Sequence, residues 1–379
     1  MALAAAGFAD ARWSYLFKAP DTSYAAVEPE PGQVAAANRR MRGGLMPEPR
    51  GPFVKPPVWK WEVPVYLWVG GIAAGSSFMA LACDASGDAR SAVIARRTAL
   101  AAFAPAPLLL IRDLGRPGRF LNMLRVFKPR SPMNTGAWCL AAFGVGAATA
   151  VGADLVKKPR AASAAGALTA LLGAYVGSYT GALLACTAVP LWSRSRLALG
   201  PIFVATATGT GAAATRLALS AYGLPGDHPT NRALTALEHS AIAAELALSR
   251  VNEGVLGDAR SALHRGIAGR IYWTAQTAVV AGLAVRVQAR RRRRPQPSLQ
   301  NLASAVYLAG GLAFRVAWVQ AGKESAADNE AAAAMGRRKA PEPRLRSDER
   351  GPLPLPRVRR AWGEAVRRTS LGIERIARR

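Results

Sequence analysis

Apolar residues fall into eight blocks along the chain, at about 63–83, 94–112, 135–155, 162–186, 198–220, 231–250, 267–286 and 301–320. Each block is near the ~17–25 residues a helix needs to cross a bilayer. None alternates in the ten-residue pattern of a barrel strand, and a backbone in lipid satisfies its own hydrogen bonds most simply as a helix. The expected fold is therefore all-α and integral to the membrane, with about eight transmembrane helices in two four-helix bundles. The second, sixth and seventh blocks are the weakest, because Arg or Glu interrupts them. Gly and Ala dominate the blocks, and small residues let membrane helices approach closely.

The blocks also divide the chain. Residues 1–57 form a polar extension containing Pro and Gly. Its start, MALAAAGFADARWSYLF, has no basic segment ahead of a clean apolar run, so no cleaved signal peptide is expected. Residues 58–196 carry the first four blocks and residues 197–320 the last four. Residues 321–379 form a basic, partly disordered tail, with LPLP at 353–356 and one short amphipathic helix expected near 357–378. Such a helix can meet anionic lipid or a partner protein.

Composition sharpens this picture. Hydrophobic residues make up 51% of the chain and charged residues only 19%, against roughly a quarter charged in soluble domains. The net charge of +27 lies in connectors and tails flanking apolar blocks. It forms no single stripe interleaved with aromatics, which argues against nucleic acid as a partner. Eight spans would put the basic 112–130 segment and the Arg290–Arg294 run on opposite faces. The excess of positive charge on cytoplasmic loops then leaves the side of the termini open in a multi-pass protein of the cytoplasmic membrane. Cys83, Cys139 and Cys186 are far apart and no CxxC occurs, so the chain is expected to hold no iron–sulphur cluster and no Cys-based zinc site of its own. Of His228, His239 and His264, only His239 sits inside an apolar block, which argues against a bis-His haem. No metal is expected in this chain.

Three groups of residues are candidates for chemistry. Residues 111–138 read IRDLGRPGRFLNMLRVFKPRSPMNTGAW. Arg112 and Asp113 stand where a helix leaves the membrane, where ionisable groups are costly unless paired or set at a cavity. Pro117, Pro129 and Pro132 prevent one continuous helix, and Ser131 or Asn134 is placed to cap the next one. Asp113, held by Arg112 and Arg116, can relay a proton or brace this loop. On the first block, Glu62 and Tyr66 are four residues apart and share a helix face, pairing a titratable group with a phenol. Trp59, Trp61, Tyr66 and Trp68 equally fit an aromatic belt at the interface. The sixth block carries Glu238, His239 and Glu245, with Arg216 on the fifth. Glu238 and Glu245 are seven apart and lie on one face. Intramembrane carboxylates are expensive, so these four residues are candidates for proton transfer, with ion pairs to Arg216 or Arg250 as the structural alternative. A proton-coupled transporter is the competing reading of the same residues.

Four runs give the chain a resemblance. PPVWKWEVPVYLWVGGIAAGSS (56–77), DLGRPGRFLNML (113–124), FKPRSPMNTGAW (127–138) and YTGALLACTAVPLW (179–192) resemble, in order and spacing, the NrfD/polysulfide reductase membrane-anchor family, over about residues 52–320. The resemblance implies a quinone-reactive membrane subunit (menaquinone or ubiquinone) without redox metal of its own. It further implies a ferredoxin-like [4Fe–4S] partner and a molybdopterin oxidoreductase subunit, as in complexes of the polysulfide reductase or formate dehydrogenase type. It places a quinone-contacting Tyr on the fourth span, which here is Tyr179, with Tyr175 one turn earlier as the fallback. Tyr66, Glu62 and Asp113 complete the expected quinone site. The basic loop residues Arg116, Arg119, Arg125, Lys128 and Arg130 are the expected docking surface for the iron–sulphur subunit. The first-span His and Asn of the family are not evident here, a departure that leaves a non-catalytic anchor as a further alternative.

Overall fold

The computed structural model describes residues 54–113, 118, 122–291 and 297–328. The polar extension up to residue 53, the tail beyond 328 with its expected helix near 357–378, and Arg116 and Arg119 lie outside the described residues. Among the described residues every regular element is helical. Helix α1 is Glu62–Ala85, followed by α2, Ala89–Phe103, and α3, Pro105–Asp113. These last two form one span with a break at Ala104, ahead of the Pro105 that cannot donate a backbone N–H. A short α4, Asn122–Arg125, leads to α5, Pro132–Leu155, and α6, Pro159–Ala185. Then come α7, Pro190–Arg194, α8, Leu199–Ala221, and α9, Pro229–Leu256. A 3₁₀ turn at Gly257–Arg260 and α10, Ser261–His264, precede α11, Gly266–Arg291, and α12, Pro297–Ala327.

The eight apolar blocks thus correspond to eight long helices, counting α2 and α3 as one. Six of them are long and apolar enough to cross a membrane: α1, α2–α3, α5, α6, α8 and α12. The second block meets that standard although it carries Arg. The sixth and seventh, α9 and α11, are full length at 28 and 26 residues but too polar to qualify. On α9 much of that polarity faces inward, and on α11 Gln276 and Arg286 are buried. On α9 the buried residues include Asn231, Thr235, Glu238, Glu245, Ser249 and Asn252.

Local sequence sets the helix starts. Proline stands in the first turn of α5, α6, α7 and α9, where its missing N–H costs nothing. The Ser131 hydroxyl accepts from the Asn134 amide at 3.4 Å, so Ser131, and not Asn134, caps α5. Asp88 caps α2 by accepting from the Ser91 amide at 3.0 Å, and it also accepts the Thr230 hydroxyl at the start of α9. Burial works against ionisation of Asp88, but hydrogen bonds from Ser91 and Thr230 and the nearby His228 outweigh it. Together they hold its carboxyl below the usual carboxylate range.

Small residues then fix the packing. Helix α1 packs against α2, α6 and α8, and α8 packs against α1, α6, α9 and α12. The α1–α8 crossing is closest at Gly75 and Gly211, where a Cβ on either glycine would run into the other helix's backbone. Gly75→Ala is expected to cost about 1–3 kcal/mol through forced separation of the two helices. The midpoint of unfolding in mixed micelles would read it.

Two polar networks tie the helices at opposite ends. Away from the 122–131 loop, Arg96 of α2 binds Asp154 of α5 through two nitrogens at 2.7 and 2.8 Å, and Asp84 of α1 at 2.6 Å. At the loop end, Asn252 of α9 donates to Ser195 at 3.0 Å and Arg194 donates to the Leu256 carbonyl at 3.1 Å, joining the 187–197 and 251–266 connections.

Candidate functional site

Near the loop end, helices α1, α3, α5 and α6 leave a cavity of about 110 Å³ between them. Its wall is mostly apolar: Val63, Leu67, Leu110, Leu140, Leu184 and the side chains of Met123 and Met133. Four side chains bring polar atoms to it, namely Tyr66, Asp113, Tyr179 and Thr180. Tyr66 and Tyr179 are 5% and 8% exposed. Neither hydroxyl hydrogen-bonds a described residue. A buried phenol usually finds a partner, so two hydroxyls that bond no described residue, on the wall of one apolar cavity, suit a ligand that brings its own acceptors.

The cavity wall is held from several sides. Tyr179 stacks on Tyr175 at 5.7 Å, and its ring lies against Gly136, where a Cβ would overlap the phenol. Gly136 is thus the seat of Tyr179. Gly136→Ala is expected to displace that ring and weaken ligand binding about tenfold while the chain still folds, because the neighbour that must move is a side-chain tip at a cavity. A binding titration against Gly136→Ala checks this. Trp59, on the wall, stacks on Trp192 at 5.3 Å, and its carbonyl accepts from Lys323 of α12 at 3.0 Å. Trp192 in turn donates to the Trp318 carbonyl at 2.9 Å.

Glu62 precedes Val63 of the cavity wall. Its carboxylate is buried and pairs with Arg112 at 3.2 Å, and its second oxygen has no hydrogen-bond partner. Arg112 also lies over the Trp61 ring at 5.5 Å. This corrects one expectation: Arg112 holds Glu62 and not Asp113. Asp113 ends α3 half-buried, on the cavity wall.

A second polar cluster runs through α8, α9, α11 and α12. Glu238 is fully buried and pairs with both Arg216, at 3.7 Å, and Arg286. Arg216 also donates to Gln300 Oε1 at 3.0 Å, to the Asn231 carbonyl and to the Thr235 hydroxyl. Arg286 donates to the Ser304 hydroxyl at 2.8 Å and lies 5.5 Å over the Tyr307 ring. Two turns along α9, Glu245 is buried on the same face. Arg315 of α12 reaches into this half, over the Phe203 ring at 3.6 Å and onto the Phe203 carbonyl at 3.0 Å. At the loop end, Glu253 accepts the Tyr272 hydroxyl at 2.7 Å, with His264 at 3.5 Å. Among the described residues, no three His, Cys, Asp or Glu side chains converge as a metal site.

A family model for the polysulphide reductase NrfD matches residues 52–322, well over half of the chain. The chain belongs to the NrfD polysulphide reductase family. In direct comparison, no curated protein matches it significantly. The NrfD match covers both the cavity and the second polar cluster, so both belong to the family's shared region. It also agrees with the apolar helices in making this a multi-pass membrane protein.

Within this NrfD protein the expected site residues separate cleanly. Tyr66, Tyr179 and Asp113 meet at one cavity, and Glu62 stands next to it. Tyr175 does not reach that wall. It is 41% exposed, and its hydroxyl bonds Thr135 at 3.0 Å. Trp68 is used in packing, donating to the Leu308 carbonyl at 3.0 Å. Arg216 and Glu238 are brought together in the second half, with Glu245 two turns along the same face of α9. His239, one residue after Glu238, is half-buried and lies about 100° round the helix, off that face. Arg250 pairs with Glu253 at 3.2 Å and not with the intramembrane acids. Arg125, Lys128 and Arg130 are exposed on the loop. Sequence reading missed Trp59, Gly136 and Thr180 at the cavity, and Arg286, Tyr307 and Arg315 in the second half. Arg315 did carry a signal, a lone cation inside the eighth apolar block.

Proposed function

We propose that this chain is the quinone-reactive membrane subunit of an iron–sulphur molybdoenzyme complex of the polysulfide reductase or formate dehydrogenase type. The observation that carries the reading is that Tyr66 and Tyr179, both buried and with hydroxyls that bond no described residue, line one apolar cavity with Asp113 on its wall. A quinone (menaquinone or ubiquinone) supplies a headgroup whose two carbonyl oxygens take up two electrons and two protons to become hydroxyls. The residues present fit such a group, since the wall is mostly apolar and carries two phenol hydroxyls that can donate. Tyr179 and Tyr66 would donate hydrogen bonds to the carbonyl oxygens and hold the ring. Asp113 is the nearest carboxyl for proton exchange with a bound headgroup, and Glu62, fixed by Arg112, stands next to the wall for exchange with water. The methionines and leucines keep the headgroup dry and leave room for an isoprenoid tail.

In this reading eight helices span the cytoplasmic membrane, 58–196 forming the quinone-binding bundle and 197–320 the second. The basic loop with Arg116, Arg119, Arg125, Lys128 and Arg130 is the docking surface for a ferredoxin-like [4Fe–4S] subunit. Electrons pass between its terminal cluster and the quinone. The buried set Arg216, Glu238, His239 and Glu245 handles protons in the second half. The test is to purify the chain with its native partners and add quinol or quinone anaerobically. Cluster spectra in electron paramagnetic resonance should then change with the redox state of the pool. Absence of a cluster-bearing partner, or clusters indifferent to quinone, would overturn the reading.

A further inference from the structure

Between α8, α9, α11 and α12 lies a second, smaller cavity of about 20 Å³. A water needs ~10–15 Å³ of such space and two to four polar partners. Thr206, Thr210, Glu245 and Tyr307 line the space together with Ile242 and Phe314. The Tyr307 side chain is 4% exposed, and its hydroxyl is buried without a hydrogen-bond partner. An unmade bond of this kind costs ~1–3 kcal/mol. On another wall Glu245, 4% exposed, makes no direct ion pair with a described residue. Arg315, the cation of this region, has one nitrogen on the Phe203 carbonyl and its guanidinium against the Phe203 ring. A buried donor without a partner therefore faces a void of molecular size, with the buried Glu245 carboxyl, beside Thr206, on another wall.

We propose that this cavity holds one resident water, which accepts the Tyr307 hydroxyl and donates to Glu245. Its remaining hydrogen has an acceptor in Thr210, whose hydroxyl already donates to the Thr206 carbonyl at 2.8 Å. The position gives this water a purpose. Glu238 and Glu245 are seven residues apart, which along a helix is about 10.5 Å at 1.5 Å per residue, too far for direct contact. Tyr307 lies under Arg286, and Arg286 pairs with Glu238. The water thus joins Glu245, through Tyr307, to the Arg216–Glu238–Arg286 cluster. This use of the site rests on the proton-handling part of the proposed function, whereas the water itself is read from the cavity alone.

The two can be tested apart on the purified complex. A map sharp enough to show ordered waters should contain one within hydrogen-bond distance of both Glu245 and Tyr307. Infrared difference spectra should show a water O–H band that shifts in ¹⁸O-water. Tyr307→Phe keeps the ring and the packing, so it should abolish both signals. A dry cavity, or a band untouched by Tyr307→Phe, overturns the proposal. Proton uptake by reconstituted vesicles is the separate readout. A fall in Tyr307→Phe supports use of the water in proton transfer. Unchanged uptake with the water lost confines the site to a structural role and refutes that use.

Discussion

Tyr179→Phe is expected to lower quinol turnover of the assembled complex by one to two orders of magnitude. The ring is retained, so its stack on Tyr175 and its seat against Gly136 survive. Only the donor on the cavity wall is lost. A hydrogen bond made to a buried, charge-developing oxygen is worth ~1–3 kcal/mol, which sets the size of the effect. The bond strengthens as the carbonyl oxygen gains electron density, so the loss should fall mainly on kcat, with a smaller change in KM. A rise in KM alone would mean that Tyr179 only positions the ring. Unchanged turnover would remove Tyr179 from the site.

Arg96→Met is expected to destabilise the protein by about 3–5 kcal/mol. Arg96 is 5% exposed and serves two carboxylates, Asp84 at 15% exposure and Asp154 at 4%. Without it, two buried like charges face each other at the ends of α1 and α5, and the three helices lose their common tie. Arg96→Lys should lose less, because the charge remains while the two-pronged contact to Asp154 does not. Replacing both acids with Leu alongside Arg96→Met should restore most of the stability, since an apolar set of similar volume needs no pairing. Unfolding in mixed micelles distinguishes these cases. A loss in Arg96→Met that the added Leu substitutions do not relieve would show that the cost is packing and not charge.

The apolar blocks were enough to place the eight long helices, because a membrane helix must be greasy over a length set by the bilayer. Prolines and the Ser131 cap marked several starts within a few residues. The sixth and seventh blocks look weak in one dimension because α9 buries Glu238 and Glu245 and α11 buries Arg286, polar residues turned inward. Helical spacing put Glu238 and Glu245 on one face, yet only the fold showed that Arg286 of α11 completes the pair with Glu238. The same holds at the cavity. Glu62 and Tyr66 read as partners from their spacing, but Glu62 turns to Arg112, fifty residues on, while Tyr66 turns to Tyr179 across the bundle. Gly136 and Trp59 were illegible as site residues, because nothing in a lone glycine or an interfacial tryptophan says which side chain it will seat.

The central claim is that the Tyr66–Tyr179 cavity binds the quinone headgroup. Labelling of the purified complex with a photoreactive quinone, followed by mass spectrometry of its peptides, tests it most directly. The account predicts label within Trp59–Leu67, Met133–Leu140 or Tyr179–Leu184, suppressed by excess unlabelled quinone. Label confined to other helices, or label in these peptides that excess quinone does not displace, would contradict it.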